Sequence, residues 1–191
     1  MKKLLFLLIG AVLLFSWELK KQQNGIEVYT QDVKNSKYDE FKAVMDVDVP
    51  FSKVKSVLLD FENYPKWQKK IENIEVKDEY MLKEIDFPFP LSNRFAFYKI
   101  DITKGMNFIQ IKLTSIPYSR LPEKIKKEFK KPSCVEMKDN VLLKAEKTDK
   151  GVRVTYAANV DPKGAPAFIF NSKIVGAAYD TLENLKAYLK Q

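Results

Sequence analysis

The segment FPFPLSNRFAFYKIDI at residues 87–102 places one arginine in a strand pattern that is otherwise apolar on one side. Strand alternation gives this side the residues Arg94, Ala96, Tyr98, Ile100 and Ile102. A buried guanidinium without a partner costs several kcal/mol. We therefore expect Arg94 to meet a carboxylate such as Asp86 or Glu84, a cluster of carbonyl groups, or the anionic head of a ligand.

Two phenols and one indole add further polar groups to apolar stretches. Tyr98 and Tyr156 lie on apolar strand faces, where each hydroxyl needs a hydrogen-bond partner. Trp67 follows Pro65 at a predicted helix end, where a large aromatic side chain packs in the core or lines a ligand cavity. A cavity with so few polar groups suits the orientation of a ligand better than catalysis.

The sequence lacks the residues that most catalytic and metal sites require. It has no histidine, which excludes Ser-His-Asp and Cys-His catalysis and histidine-containing zinc sites. Cys134 is the only cysteine, which excludes an intramolecular disulfide and a thiolate metal cluster. The six glycines are too scattered for a dinucleotide fingerprint or a phosphate loop. We therefore expect no catalytic residue, no cofactor and no metal ion.

The elements that must position these residues alternate between a period of two and a period of about 3.6. Strands are predicted at 25–33, 38–49, 72–86, 94–104, 106–116, 133–147 and 151–160. Helices are predicted from near Ser52 to just before Pro65, and over 165–190. This order predicts an α+β fold in which a curved antiparallel sheet wraps around a long C-terminal helix.

The N-terminus, MKKLLFLLIGAVLLFSW, has the layout of a secretory signal, with two lysines before a run of 12 apolar residues. This run is shorter than the ~20 residues that span a bilayer as a helix. We predict residues 1–17 as a signal peptide or a short N-terminal membrane anchor, 18–24 as a linker and 25–191 as one domain. The protein is then exported, and is either periplasmic or tethered to a membrane.

The segment LPEKIKKEFKK at 121–131 predicts a short basic amphipathic helix. Such a helix either lies solvated on the surface or forms a lid that contacts an anionic membrane. The residues available for that contact are Lys124, Lys127, Phe129 and Lys130. The formal net charge of +8 favours an acidic partner. Nucleic acid is not expected, because the lysines are spread over many elements without an aromatic-basic motif.

Three segments, in this order, resemble the START domain family of the helix-grip superfamily, which also holds polyketide cyclases and coenzyme Q-binding proteins. They are DFENYPKW at 60–67, PFPLSNRFAF at 88–97, and VTYAANVDPKGAPAFIFNSKIVGAAYDTLENLKAYL at 154–189. They resemble the family's Tyr-Pro…Trp helix end, its Pro-x-Ser-Asp-Arg-Asp-Phe segment, and its Val-Thr-Tyr strand, Asp-Pro-x-Gly turn and closing helix. Phe95 departs from the pattern, since an acidic residue usually follows the arginine.

The resemblance implies a helix-grip fold with an apolar tunnel between the sheet and the terminal helix. It implies a protein that binds a lipid or sterol-like molecule there and exchanges it at a membrane. We expect the protein to be a monomer. The residues expected to contact the ligand are Trp67, Arg94, Tyr98, Ile100, Tyr156, Phe170, Ile174 and Ala178. The small residues around Gly176 predict either close packing of the helix on the sheet or room for a guest. The alternatives are a cyclase-like or aromatase-like enzyme and a non-catalytic module of envelope assembly.

Overall fold

The computed structural model describes residues 17–87 and 91–191. Within these ranges the chain forms one ten-stranded sheet and three α-helices. The strands are β1 (Glu18–Gln23), β2 (Ile26–Gln31), β3 (Glu40–Val47), β4 (Ile71–Lys77), β5 (Tyr80–Ile85), β6 (Arg94–Lys104), β7 (Phe108–Ile116), β8 (Val135–Glu136), β9 (Lys138–Thr148) and β10 (Gly151–Asp161). The helices are α1 (Phe51–Leu59), α2 (Glu123–Glu128) and α3 (Ala167–Tyr188). The predicted signal or anchor at residues 1–17 lies outside these ranges except for Trp17.

The sheet is almost wholly antiparallel, with the strand order β1-β2-β3-β10-β9-β7-β6-β5-β4. The short strand β8 pairs in parallel with the first residues of β6 and leads directly into β9. Because β8 joins these two strands, the start of β6 comes close to the start of β9 on the curved sheet. The predicted α+β class, with a curved antiparallel sheet and a long C-terminal helix, is confirmed.

One face of the sheet, called the inner face here, carries the main hydrophobic core under α3 and α1. Helix α3 lies across β2 and β3, whereas α1 lies on β9 and β10. The side chains that α3 buries recur at helical spacing: Ile174, Ala178, Tyr179, Leu182 and Leu185. Along the strands, every second side chain points to the inner face, and most of these side chains are apolar. The inner face is therefore the apolar side of the sheet.

The opposite or outer face of the sheet carries a second hydrophobic cluster over β5 and β6. Its members are Leu82, Phe95, Phe97, Leu121, Ile125 and Phe129. Helix α2 supplies Ile125, and the residues that flank this helix supply Leu121 and Phe129. Strands β5 and β6 are therefore covered on both faces, unlike strands at the other edge of the sheet.

The structure corrects two predicted boundaries. Residues 18–24 are not a linker: Glu18–Gln23 form β1, and Asn24 and Gly25 have φ values of 53° and 73° in the turn to β2. An Asn-Gly pair with positive φ at both residues is a strong hairpin signal, and the polar sequence of β1 suits an exposed edge strand. The predicted strand at 72–86 is two strands, β4 and β5, which turn at Asp78 with a φ of 52°.

Candidate functional site

Arg94 lies at the start of β6 with 3% of its surface exposed. Its Nε donates a hydrogen bond to the carbonyl oxygen of Pro162 at 2.6 Å, and Nη2 donates to the carbonyl oxygen of Lys163 at 3.1 Å. Its Nη1 donates to the carbonyl oxygen of Ser92. The guanidinium thus connects the start of β6 to the turn that precedes α3.

Of the three partners expected for Arg94, the structure provides the carbonyl cluster. The predicted ion pair with Asp86 or Glu84 is wrong. Asp86 pairs instead with Lys70 at 2.9 Å, and Glu84 accepts a hydrogen bond from Asn73 at 2.9 Å. Carbonyl oxygens satisfy the guanidinium without the desolvation of a carboxylate. Because all three nitrogens of Arg94 already donate, its side chain has little left to offer to the head of a ligand.

Three other polar side chains meet on the inner face, and we call them the polar trio: Lys83 of β5, Tyr98 of β6 and Asp139 of β9. Lys83 Nζ lies 3.6 Å from Asp139 Oδ2, and the Tyr98 hydroxyl donates to the same oxygen at 2.6 Å. Lys83 Nζ also lies 4.6 Å from the centre of the Tyr98 ring. Lys83 is only 3% exposed and Asp139 only 4%. The trio therefore places one cation, one anion and one phenol in the protein interior.

The hydrogen-bonding capacity of the polar trio is incompletely used. Asp139 Oδ1 is buried and has no hydrogen-bond partner among the residues that the structure describes. The only carboxylate near Lys83 within those residues is Asp139, and at 3.6 Å their separation is longer than an ordinary hydrogen bond. The Trp67 Nε1 is likewise buried without a partner in the described part of the chain. Buried polar atoms of this kind favour a ligand or water with matching donors and acceptors.

Burial shapes the protonation of the trio. Removal of water lowers the pKa of Lys83, although the Asp139 carboxylate opposes this shift. Burial raises the pKa of Tyr98 well above its ordinary value, and the negative charge and hydrogen bond of Asp139 raise it further. Tyr98 therefore keeps its proton at neutral pH and remains a donor to Asp139. Burial and Asp139 also raise the pKa of Tyr156.

The remaining residues predicted to contact a ligand all belong to the inner core or pack against it. Buried side chains are Trp67, Tyr98, Ile100, Ile174 and Ala178. Tyr156 and Phe170 are partly exposed. The Tyr156 ring lies 5.1 Å from the Phe41 ring, and the Phe170 ring lies 5.3 Å from the Tyr38 ring, measured between centroids. Gly176 does not mediate close packing on the sheet, because a Cβ atom added there would meet no atom within 4 Å.

The predicted membrane contact through Phe129 is wrong. Phe129 is 4% exposed, and its ring lies 5.4 Å from that of Phe97 in the outer-face cluster. The apolar side chains of residues 121–131 pack on the outer face of the sheet, opposite α3. This segment is therefore not a lid over the inner face. Lys124, Lys127 and Lys130 remain exposed.

Two of the depressions on the surface of the described residues are open to solvent and lie on or beside the sheet. One of about 590 Å³ lies on the outer face of β2, β3 and β10, where Glu27, Lys42, Asp46 and Arg153 are among its lining residues. The other, of about 230 Å³, lies where the end of α1 approaches β4, and Leu59, Phe61 and Val76 line it. Neither depression lies between the sheet and α3, although these three apolar residues also pack against the inner core.

Sequence reasoning missed Lys83 and Asp139, the two charged members of the trio. The signal was alternation: Lys83 stands between Met81 and Ile85, and Asp139 stands between Met137 and Val141. Each is the polar member of an otherwise apolar strand face, as Arg94 is in β6.

Comparison with known proteins identifies the fold. No family model matches the sequence. An uncharacterized protein of Pseudomonas aeruginosa is 26% identical over 185 residues, which cover 93% of this chain and 89% of that protein. A STAR-related lipid transfer protein from Xanthomonas axonopodis superposes with a TM-score of 0.77 at 24% identity, covering 92% of this chain and 99% of that one. Human StAR-related lipid transfer protein 5 gives a TM-score of 0.75 at 15% identity, covering 92% and 86%.

These matches confirm the START-like helix-grip fold that the three sequence segments predicted. In the ranges 17–87 and 91–191, no helix combines the length and the apolar character needed to cross a membrane.

Proposed function

We propose that this protein binds one hydrophobic ligand beside α3 on the inner face of the sheet and exchanges it at a membrane. The polar end of the ligand lies at Lys83, Tyr98 and Asp139. The START-like fold and the lipid-transfer names of its structural neighbours support a hydrophobic ligand. The observation that carries the proposal is the buried trio with its unpartnered carboxylate oxygen.

The trio suits the polar end of an amphiphile. A ligand hydroxyl would donate to Asp139 Oδ1, which has no partner among the residues in 17–87 and 91–191, and would accept from Lys83 Nζ, whose carboxylate partner is 3.6 Å away. The opposite charges of Lys83 and Asp139 balance, so the trio favours an uncharged polar group over a phosphate, which would face Asp139. Sterol-like and other hydroxylated lipids have this chemistry.

No covalent chemistry is part of this proposal. Tyr98 holds its proton and donates it to a hydrogen bond, and Lys83 and Asp139 serve to hold and orient the ligand. The secretory layout of residues 1–17 supports export, with the domain acting as a monomer in the periplasm or tethered to a membrane.

The proposal is tested by extracting lipid from the purified full chain and identifying it by mass spectrometry. The trio variant Lys83→Met, Tyr98→Phe, Asp139→Leu should yield much less lipid than the native chain. A matched control, Asp46→Asn with Arg153→Gln, removes a bidentate ion pair from the outer face and should retain the lipid. The proposal would be refuted if the native protein contained no lipid in repeated extractions and took up none from vesicles.

A further inference from the structure

The inner face of the sheet buries one amine. Lys83 of β5 has 3% of its surface exposed, and it is the only buried lysine in the part of the chain that the structure describes. Across the sheet it pairs with Ile74 of β4 and Ala96 of β6. Met81 and Ile85 lie two residues before and after it, on the same strand face. All four neighbours belong to the inner core or pack against it, so Lys83 has apolar surroundings on its own sheet face.

Two polar side chains accompany this amine. The Asp139 carboxylate lies 3.6 Å from Lys83 Nζ, and the centre of the Tyr98 ring lies 4.6 Å from it. The Tyr98 hydroxyl donates to Asp139 Oδ2 at 2.6 Å and so holds the carboxylate in place. Asp139 Oδ1 has no hydrogen-bond partner among the described residues. This oxygen is therefore available to take up a proton and to return it.

A lysine amine forms a covalent bond to carbon only as the neutral base. Exposed lysines carry a proton at neutral pH, because water stabilises the ammonium ion. In the interior, transfer of the Lys83 proton to Asp139 replaces two buried charges with two neutral groups, which removes the cost of their desolvation. Burial also lowers the pKa of Lys83, although Asp139 opposes this shift. Among the described lysines, Lys83 is therefore the best placed to act as a nucleophile.

We propose that Lys83 captures a long-chain aldehyde as a reversible imine, with the alkyl chain against the apolar side chains of the inner face. This activity goes beyond the proposed function, in which hydrogen bonds alone hold the ligand. It also rests on that function, because the aldehyde must enter the same site. The carbonyl group of an aldehyde carries no charge, which suits a site where Lys83 and Asp139 already balance.

The capture needs no oxidant and no reductant. The Lys83 ammonium gives a proton to Asp139, and the neutral nitrogen attacks the aldehyde carbon while the carbonyl electrons move to oxygen. This oxygen takes the second proton from nitrogen, which gives a carbinolamine. Asp139 then returns its proton to the carbinolamine hydroxyl, which leaves as water as the nitrogen lone pair forms the carbon–nitrogen double bond. An ammonium and an aldehyde have become an iminium and water.

The product suits the site as well as the starting ion pair does. The iminium nitrogen keeps the positive charge of Lys83 beside Asp139, so the number of buried charges does not change. Tyr98 keeps its hydrogen bond to the carboxylate. Hydrolysis needs water at the iminium carbon, and Lys83 and Asp139 are only 3% and 4% exposed. The imine should therefore last longer on Lys83 than on an exposed lysine.

Reductive trapping tests this inference in the purified full chain. The chain is incubated with hexadecanal in phosphatidylcholine vesicles, and sodium cyanoborohydride converts each imine to a stable secondary amine. Peptide mass spectrometry then locates the modified lysines. The matched control position is Lys112, an exposed lysine of β7 in the same sheet. Hexadecanol, which has the same chain but no carbonyl group, is the competitor, and its uptake is measured in parallel by extraction.

Hexadecanal should modify Lys83 about tenfold or more over Lys112, because only Lys83 combines a neutral amine with an apolar site. Hexadecanol should suppress the adduct at Lys83 and leave Lys112 unaffected. The double variant Lys83→Met, Asp139→Asn leaves no charge of this pair buried and keeps an acceptor for Tyr98. It should fold by circular dichroism and take up hexadecanol, while its hexadecanal adducts fall to the level of the exposed lysines.

A folded native chain that takes up hexadecanol but carries no more adduct on Lys83 than on Lys112 overturns the inference and leaves the proposed function standing. An adduct on Lys83 that hexadecanol does not suppress also overturns it, since the reaction then occurs outside the ligand site. If neither the alcohol nor the aldehyde is taken up and extraction yields no lipid, the proposed function fails as well.

Discussion

Replacing the polar trio as a unit should preserve the fold, whereas removing one of its charges should not. Asp139→Leu leaves the Lys83 cation, 3% exposed, without the carboxylate that lies 3.6 Å away in the native chain. Breaking a buried ion pair in this way costs about 3–5 kcal/mol. The Tyr98 hydroxyl also loses its acceptor at 2.6 Å, which adds about 1–3 kcal/mol. Together these losses approach the entire stability of a marginal domain, about 5–15 kcal/mol.

The triple variant Lys83→Met, Tyr98→Phe, Asp139→Leu removes every member of the network. Apolar side chains of similar volume then fill the space, and no buried charge or hydroxyl is left without a partner. Such replacements are neutral or stabilising by about 1–4 kcal/mol. The triple variant should therefore be at least as stable as the native chain, while Asp139→Leu alone should be much less stable.

Urea unfolding followed by circular dichroism measures these differences. The control Asp46→Asn with Arg153→Gln removes an exposed pair and should change the free energy of unfolding by about 0–1 kcal/mol. The same preparations are then assayed for bound lipid. If the triple variant unfolds as readily as Asp139→Leu, the trio is a component of the folding core. If it is stable and still carries the native amount of lipid, the trio does not bind the ligand.

Three further predictions concern single positions. The pKa of Lys83 is lowered below its ordinary value of 10.5, so between the folded and unfolded pKa values the unfolded chain binds more protons. The free energy of unfolding of the native chain should therefore rise with pH in that window, relative to the triple variant Lys83→Met, Tyr98→Phe, Asp139→Leu, as measured by urea unfolding. The buried tyrosines have raised pKa values that act in the opposite direction above pH 10, so the rise is measured below that pH. Arg94→Lys should lower the free energy of unfolding by about 1.5–3 kcal/mol, because one ammonium group replaces a guanidinium that donates to several carbonyl oxygens. A thermal unfolding curve that matches that of the native chain would contradict this. Gly176→Ala should stabilise by about 1 kcal/mol, since the added methyl meets no atom; a loss of stability would show that the glycine is needed.

The sequence was sufficient for most of the fold where one side of an element is apolar. The predicted strand at 94–104 matches β6, Arg94–Lys104, and alternation correctly placed Arg94 and Tyr98 on the inner face. The terminal helix was predicted over 165–190 and found at Ala167–Tyr188. In these segments local periodicity and the tertiary environment agree, which is why pattern alone was enough.

Alternation marks Lys83 and Asp139 as polar members of apolar strand faces, but it does not show that they are buried together, because their contacts are not local. Strand β5 is covered on both faces, by the inner core and by the outer-face cluster, and this cover comes from segments that are distant along the chain. A lysine in a strand is ordinarily on the surface. Asp and Asn are residue types that favour turns, yet Asp139 and Asn140 both lie within β9, where they pair with Val160 and Asn159 of β10.

The same long-range contacts decide between Arg94 and the trio as the place for the ligand's polar end. Arg94 was correctly predicted to be buried, but its partners come from the turn at Pro162 and Lys163, and they occupy its guanidinium. In the trio, by contrast, Asp139 Oδ1 has no hydrogen-bond partner within the part of the chain that the structure describes. Substitutions at Arg94 should therefore lower stability while the identity of the extracted lipid stays the same. The triple trio variant should show the reverse, with stability retained and lipid lost. If substitutions at Arg94 abolished lipid binding and the triple trio variant kept its lipid, Arg94 and not the trio would bind the polar end of the ligand.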